Sequence, residues 1–434
     1  MSESKLTFFR QSGWMMIATT LGGVFMWLVH IPAQHGMPKD QYGVFLSLLQ
    51  VLNLMMIPAI GLQTVFARQA AAVVTPKQED ELAWLVRAIG VGVTVIWFGM
   101  LALGAFYRDG LLAHFQIKSS SPAAFWTTLV VGLPMLWMPI VLGVLQGKQN
   151  FLWMGWCGVF NGVGRFLAVL ILVTMLAWDS AGAMVAALIG FLVAVTIGCW
   201  QCRAVLTRAG QSIDWKAWLA KVIPLTLGLG ASQFMMSVDQ IVMTGSFPTN
   251  VTALYGAAGM IGRALVIFTM PMVSVMFPKV VASTVRTEDS SAAAQALGAT
   301  LLMGGLAALA CTIMPSLPLK LVYKQEYWGM APLVPWFAWC MLPLTLANVL
   351  IGNLLAKERF AAVPWLIVVT VAYALGLKWR VGHAVGLDQM VAFKTVVQTI
   401  GMFSLALLAV AAWFTWGWRG PKNGATSSSQ PAQG

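Results

Sequence analysis

The sequence predicts an all-α integral membrane protein of about twelve transmembrane helices, arranged as two six-helix lobes related by a pseudo-twofold axis along the membrane normal. Three observations predict this class. Of the 434 residues, 59% are hydrophobic and 9% charged, whereas soluble domains carry about 25% charged residues, so water cannot be the main solvent. Apolar runs recur from Trp14 to Trp416, each close to the roughly 20 residues that a helix needs to cross a bilayer. They are too long and too uniformly apolar for barrel strands, which alternate over about ten residues. The third observation is an internal repeat. Pro134, Gly143, Lys148, Phe151 and Trp156 recur as Pro343, Gly352, Lys357, Phe360 and Trp365, each displaced by 209 positions. Tyr42-Gly43 with Pro58 recurs as Tyr255-Gly256 with Pro271, displaced by 213. Two copies of an even number of helices run in the same direction, which places the symmetry axis along the membrane normal.

In the first half the expected spans are Trp14–Ile31, Tyr42–Phe66, Leu82–Phe106, Ala123–Leu145, Phe151–Trp178 and Ala181–Trp200. In the second they are Val222–Thr244, Val251–Phe277, Ala292–Met314, Pro332–Leu355, Ala361–Leu377 and Met390–Trp416. The first span exceeds the 7–15 apolar residues of a cleaved signal peptide and is read as a retained helix. Of the 26 Lys and Arg residues, sixteen fall on the side of the termini, counting Arg87 in the first turns of the third span, seven on the other side and three deeper within spans. Cytoplasmic loops retain positive residues, so the expectation is a multi-pass protein of the bacterial inner membrane with both termini cytoplasmic. The lobes are expected over residues 1–210 and 211–420, joined by the basic stretch between Gln201 and Lys221, where Trp215 and Trp218 suit the headgroup level. The polar tail over 421–434 is expected to be disordered.

Several function classes are disfavoured. The net charge of +12 is dispersed between apolar runs and forms no basic stripe, so no nucleic-acid partner is expected. No Walker loop, His-x-x-x-His zinc pair or Gly-x-Ser-x-Gly elbow occurs, which argues against an ATPase or hydrolase. Asp40, Asp109, Asp179, Glu326 and Asp388 lie one per short loop and form no paired-carboxylate motif, so the chain is not expected to be an enzyme. His30, His35, His114 and His383 are scattered near one face and read as headgroup-level polar groups. The five cysteines are mostly inside apolar runs, and Cys199-x-x-Cys202 reads as small apolar residues at a helix end. No metal or cofactor is expected.

Transport remains, and ionisable residues at membrane depth are where it is sought, because charge there is costly unless it faces a cavity or a partner. There are four: Arg165, Asp239, Arg263 and Lys394. Three cations against one anion leave a positive surplus, and a cavity holding it suits phosphate or pyrophosphate. The competing reading pairs Asp239 with Arg263 or Lys394 as a helix lock and lets Arg165 snorkel or bond a carbonyl. In the seventh span Gln233, Ser237, Gln240 and Thr244 share one helical stripe, so this helix is expected inside, lining a path between the lobes. The expected substrate-binding residues are Arg165, Arg263, Lys394, Asp239, Gln233 and Gln240.

The stretch GMPKDQYGVFLSLLQVLNLMMIPAIGLQTVFAR, from Gly36 to Arg68, resembles the first-loop and second-helix pattern of bacterial oligosaccharide and polysaccharide flippases. Asp239, followed by ALYGAAGMIGRALVIFTMPMVSVMFPK from Ala253 to Lys279, resembles their seventh and eighth helices. These flippases form the polysaccharide transporter family within the multidrug, oligosaccharidyl-lipid and polysaccharide exporter superfamily. The resemblance implies a rocking transporter that moves undecaprenyl-pyrophosphate-linked oligosaccharide from the cytoplasmic to the periplasmic leaflet for cell-surface polysaccharide biosynthesis. It carries over Arg263 and Asp239 as cavity residues, whereas Arg165 and Lys394 rest on the argument from the residues. The implied partners are the lipid-linked oligosaccharide and membrane lipids, with a polysaccharide polymerase and glycosyltransferases alongside, and the chain is expected to act as a monomer. Multidrug antiporters of the superfamily often carry an acidic residue in the first helix, and Trp14–Ile31 has none. A cation-coupled drug or metabolite exporter is the alternative within transport; a membrane glycosyltransferase or ligase, or a scaffold for an envelope-synthesis complex, is the alternative outside it.

Overall fold

The computed structural model describes residues 3–118, 122–212, 214–264 and 291–417, and among them it is helical, without strands. Among the described residues, eleven helices are long and apolar enough to cross a membrane. In the first half they are α1 (Ile17–Gly36), α2 (Lys39–Ala71), α3 (Pro76–Phe106), α4 (Ala123–Gly147), α5 (Phe151–Met175) and α6 (Asp179–Gln201). In the second they are α7 (Trp218–Ser246), α9 (Ala294–Ile313), α10 (Gln325–Ala356), α11 (Phe360–Ala384) and α12 (Gln389–Gly417). Helix α8, described over residues 249–264, takes the remaining place. The span expected over Val251–Phe277 therefore lies outside the described residues beyond 264, as do Pro271, Lys279, Arg286 and the tail. The connections after odd-numbered helices share one end of the bundle, here called distal; the termini share the other.

Local chemistry sets the helix boundaries. At the start of α3, Thr75 and Gln78 form a capping box, the Gln78 amide oxygen accepting from the Thr75 N–H at 3.0 Å, which satisfies two otherwise orphaned donors. Asp388 caps α12, accepting from the N–H groups of Met390 and Val391. Pro58 has no N–H to offer and crowds the preceding turn, so α2 breaks into Lys39–Met55, a 3-10 turn at Ile57–Ala59 and Leu62–Ala71.

The sequence repeat is a repeat of structure. In the α4–α5 turn Asn150 N–H reaches back to Leu145 O at 2.8 Å, and in the α10–α11 turn Arg359 N–H reaches Leu354 O at 2.9 Å. Between helix and bond, Gln149 and Glu358 take φ of 56° and 55°. This is a Schellman closure with a left-handed residue that is ordinarily glycine. The packing repeats as well. The pairs α1–α5, α2–α4, α3–α4, α4–α6 and α5–α6 build the first lobe; α7–α11, α8–α10, α9–α10, α10–α12 and α11–α12 build the second in the same pattern. Across the lobes, α2 packs along α7.

The linker after α6 is stapled to the first lobe. Arg208 pairs with Glu79 and with Asp80, Nε to Oδ1 at 2.6 Å, and Gln211 N–H donates to Asp80 O at 3.2 Å. Main-chain carbonyls of Leu206 and Arg208 accept from Arg87.

Gln149 carries a side chain at a left-handed backbone position, so Gln149→Gly is expected to stabilise the fold by about 0.5–1 kcal/mol. Thermal unfolding in detergent checks this: the midpoint should rise, and an unchanged or lower midpoint contradicts the strain.

Candidate functional site

The buried ionisable groups form one cluster in each lobe. In the second lobe, Asp239 of α7 and Arg263 of α8 are 0% and 3% exposed. Arg263 Nη2 donates to both Asp239 oxygens at 2.7 Å, its Nε donates to Met236 O at 2.9 Å, and the Tyr255 hydroxyl donates to Asp239 Oδ2 at 2.7 Å. The Tyr255 ring packs edge-on to Phe337 of α10 and Phe393 of α12, with centroids 5.1 and 5.4 Å away. Tyr373 of α11 closes the group, its hydroxyl donating to Met235 O. A carboxylate holding one cation and one phenol inside an aromatic wall is a compensated ion pair. Such pairs lock helices, and removing one partner costs about 3–5 kcal/mol because it strands the other charge.

The first lobe is built on a related plan with two differences: the acid of α7 is a histidine in α1, and the cation comes from α5, since Gln50 stands where the 213-residue register places Arg263. His30 of α1 stands 209 positions before Asp239, the displacement of the repeat, and Tyr42 of α2 is the counterpart of Tyr255. The pairing recurs too: His30 Nδ1 lies 3.0 Å from the Tyr42 hydroxyl. Here the cation is Arg165 of α5, 5% exposed. Its Nη1 lies 4.0 Å from Met26 Sδ, one turn before His30 on α1, and its Nε has no partner. The Asn161 side-chain oxygen, one turn before Arg165, is buried and unpartnered as well. Gly190 lets α6 close over this pair: a Cβ there would come within 2.7 Å of Asn161 O and 3.1 Å of Arg165 Cβ. Aspartate at position 239 neutralises its arginine. Histidine at position 30 supplies no negative charge, so among the described residues Arg165 is a buried guanidinium without an anion.

The other expected residues lie apart from these clusters. Gln240 is buried where α7 meets α2, donating to Ser47 Oγ at 3.4 Å and Thr252 O at 3.2 Å, while its Oε1 has no partner. Gln233 is half-buried on α7. Lys394 is half-buried on α12 and sits 6.0 Å over the Trp336 ring as a cation–π contact. His30 and Tyr42 were not singled out as site residues from sequence. Their signal was present in the repeat, since Tyr42-Gly43 and Tyr255-Gly256 each deliver a tyrosine to a polar cluster.

No protein-family model and no curated protein sequence matches the chain. Solved structures do match its fold. An inward-facing multidrug resistance MATE family transporter of the MOP superfamily matches with a TM-score of 0.71 at 14% identity, covering 93% of this chain and 97% of the other. The lipid II flippase MurJ in an inward closed conformation matches at 0.68 and 12% identity, covering 93% and 87%. A MOP superfamily transporter from Pyrococcus furiosus, described as having a binding pocket of reverse polarity, matches at 0.64 and 14% identity, covering 94% of each. The chain is a multi-pass helical membrane protein with the fold of MOP superfamily transporters.

Proposed function

We propose that the chain is a flippase for undecaprenyl-pyrophosphate-linked oligosaccharide, carrying the headgroup from the cytoplasmic to the periplasmic leaflet of a bacterial inner membrane by alternating access of its two lobes. The observation that carries this reading is Arg165. A charged side chain at membrane depth costs about 2.5–3.5 kcal/mol on insertion scales, and unlike Arg263 this one meets no carboxylate among the described residues. A pyrophosphate supplies the missing charge and matches the planar guanidinium fork. The uncharged acceptor Asn161 Oδ1 beside it suits a sugar hydroxyl. The lipid tail stays in the bilayer while the headgroup crosses between lobes. That the fold also belongs to a lipid II flippase supports a lipid-linked cargo. It equally belongs to drug exporters, and the specific observation on their side is Asp239, an acid at membrane depth. Its charge is already taken up by Arg263 and Tyr255, which favours the anionic cargo.

The two arginines are expected to behave differently. Arg165→Ala should abolish flipping of a fluorescent lipid-pyrophosphate sugar in proteoliposomes with little loss of stability, and Arg165→Lys should retain part of it, having charge without the fork. Arg263→Ala should instead destabilise the protein by about 3–5 kcal/mol, read as a lower unfolding midpoint. Full flipping by Arg165→Ala contradicts the assignment.

His30→Asp would offer Arg165 a carboxylate one turn along α1 from Met26, which it already touches. The variant should fold at least as stably as the parent and lose binding of a soluble polyprenyl-pyrophosphate analogue by tenfold or more, measured by calorimetry; undiminished binding contradicts the role given to the missing counter-charge.

A further inference from the structure

The lobes meet at the distal end along two seams that the pseudo-twofold relates. The end of α1 faces the α9–α10 connection, and the α3–α4 connection faces the turn from α7 into α8. One glutamine dominates each seam. Gln34, 1% exposed, donates from Nε2 to Val322 O at 2.9 Å and accepts at Oε1 from the Lys324 N–H at 3.2 Å. Gln116 donates from Nε2 to Thr244 O at 2.9 Å and Phe247 O at 2.8 Å, and accepts at Oε1 from the Thr249 N–H at 3.2 Å. Both therefore use both halves of a carboxamide on the main chain of the opposite lobe. Around them the Tyr42 hydroxyl donates to the Tyr323 hydroxyl at 3.2 Å, Lys324 Nζ to His35 O at 3.1 Å and His114 Nε2 to Ile241 O at 3.0 Å, and Ser47 bonds Thr244. The backbones touch here: a Cβ on Gly43 would lie 2.1 Å from Thr249 O.

We infer that Gln34 and Gln116 are paired latches that hold the distal end closed and release together when the lobes rock apart, and that His30 and Tyr42 tie the Gln34 latch to the Arg165 site. This rests on the alternating-access part of the proposed function. The chemistry suits a seam that opens. Carboxamide–backbone bonds are neutral, so water replaces them on opening at small net cost and no stranded charge is left behind. Partly exposed ion pairs cross between the lobes at both ends, Lys39 with Glu326 at 3.8 Å beside the Gln34 seam and Arg68 with Glu358 at 3.5 Å at the opposite end, where solvent and salt weaken them. The same Tyr42 hydroxyl meets His30 in the first-lobe cluster and Tyr323 across the seam. A group that displaces His30 on binding Arg165 therefore disturbs the Gln34 latch as well.

Electron–electron distance measurements between spin labels at Gly110→Cys and Leu387→Cys test this. Both positions are exposed at the distal end on opposite lobes, and the background lacks the five native cysteines. The full-length protein is measured in nanodiscs without substrate. The parent should show a dominant short distance. Gln34→Ala and Gln116→Ala should each raise the long-distance population about tenfold relative to the short one, and the double variant about a hundredfold. Gln146→Ala, in a pair with Gln63 inside the first lobe, should leave the distribution unchanged. Single variants that elute as folded protein and keep the parental distribution overturn the inference, and so does an equal shift in Gln146→Ala. Because no cargo is present, a shift without flipping of the lipid-linked sugar counts against the substrate reading alone.

Discussion

A guanidinium inside a membrane protein needs a counter-charge, and the two lobes answer that need differently. In the second lobe Asp239 receives Arg263 and Tyr255 in short charge-assisted bonds, and the aromatic wall of Phe337 and Phe393 closes over them. In the first, the position equivalent to Asp239 is His30, which engages Tyr42 and leaves Arg165 without an anion among the described residues. Two departures from a duplicated plan, imidazole in place of carboxylate at position 30 and a cation brought in by α5 where Gln50 matches Arg263, distinguish the first cluster from the structural lock of the second.

Symmetry gives that difference its mechanical setting. Each lobe is built from the same five helix pairs and turns the same left-handed corner before its fifth helix, so each moves as a packed unit. Between them lie a helix contact, α2 on α7, and the polar seams at the distal end. Tyr42 bonds His30 of α1 and also belongs to a seam. Arg165 reaches Met26, one turn before His30 on α1, so the cation sits beside the helix whose end joins the surfaces that must part for a cargo to leave.

Much of this was legible in the sequence. Apolar length and the 209-residue register gave the helices, the lobes and their parallel sense, because bilayer thickness and duplication both leave periodic marks. The polar stripe of α7 correctly foretold an interior helix, since Gln240 and Thr244 are buried against Ser47. Composition alone left the arginines equivalent. Which one is paired depends on Asp239 and Arg263 lying 24 positions apart on neighbouring helices, while Arg165 faces α1 across 139 positions. The latches were invisible for the same reason: Gln34 meets a main chain 288 positions away, and its own neighbourhood carries no periodic or compositional trace of that contact. The sequence carried no sign that His30 is buried, which follows from a lobe of six helices covering the end of its first helix.

The charge of the cargo is the point on which the account stands. The unmodified protein, reconstituted in liposomes, should be given a lipid-pyrophosphate sugar and, separately, a lipophilic organic cation under the same ion gradients, with movement of each followed across the bilayer. The account predicts movement of the pyrophosphate-bearing lipid and none of the cation above the rate of protein-free liposomes. Movement of the cation alone would contradict it.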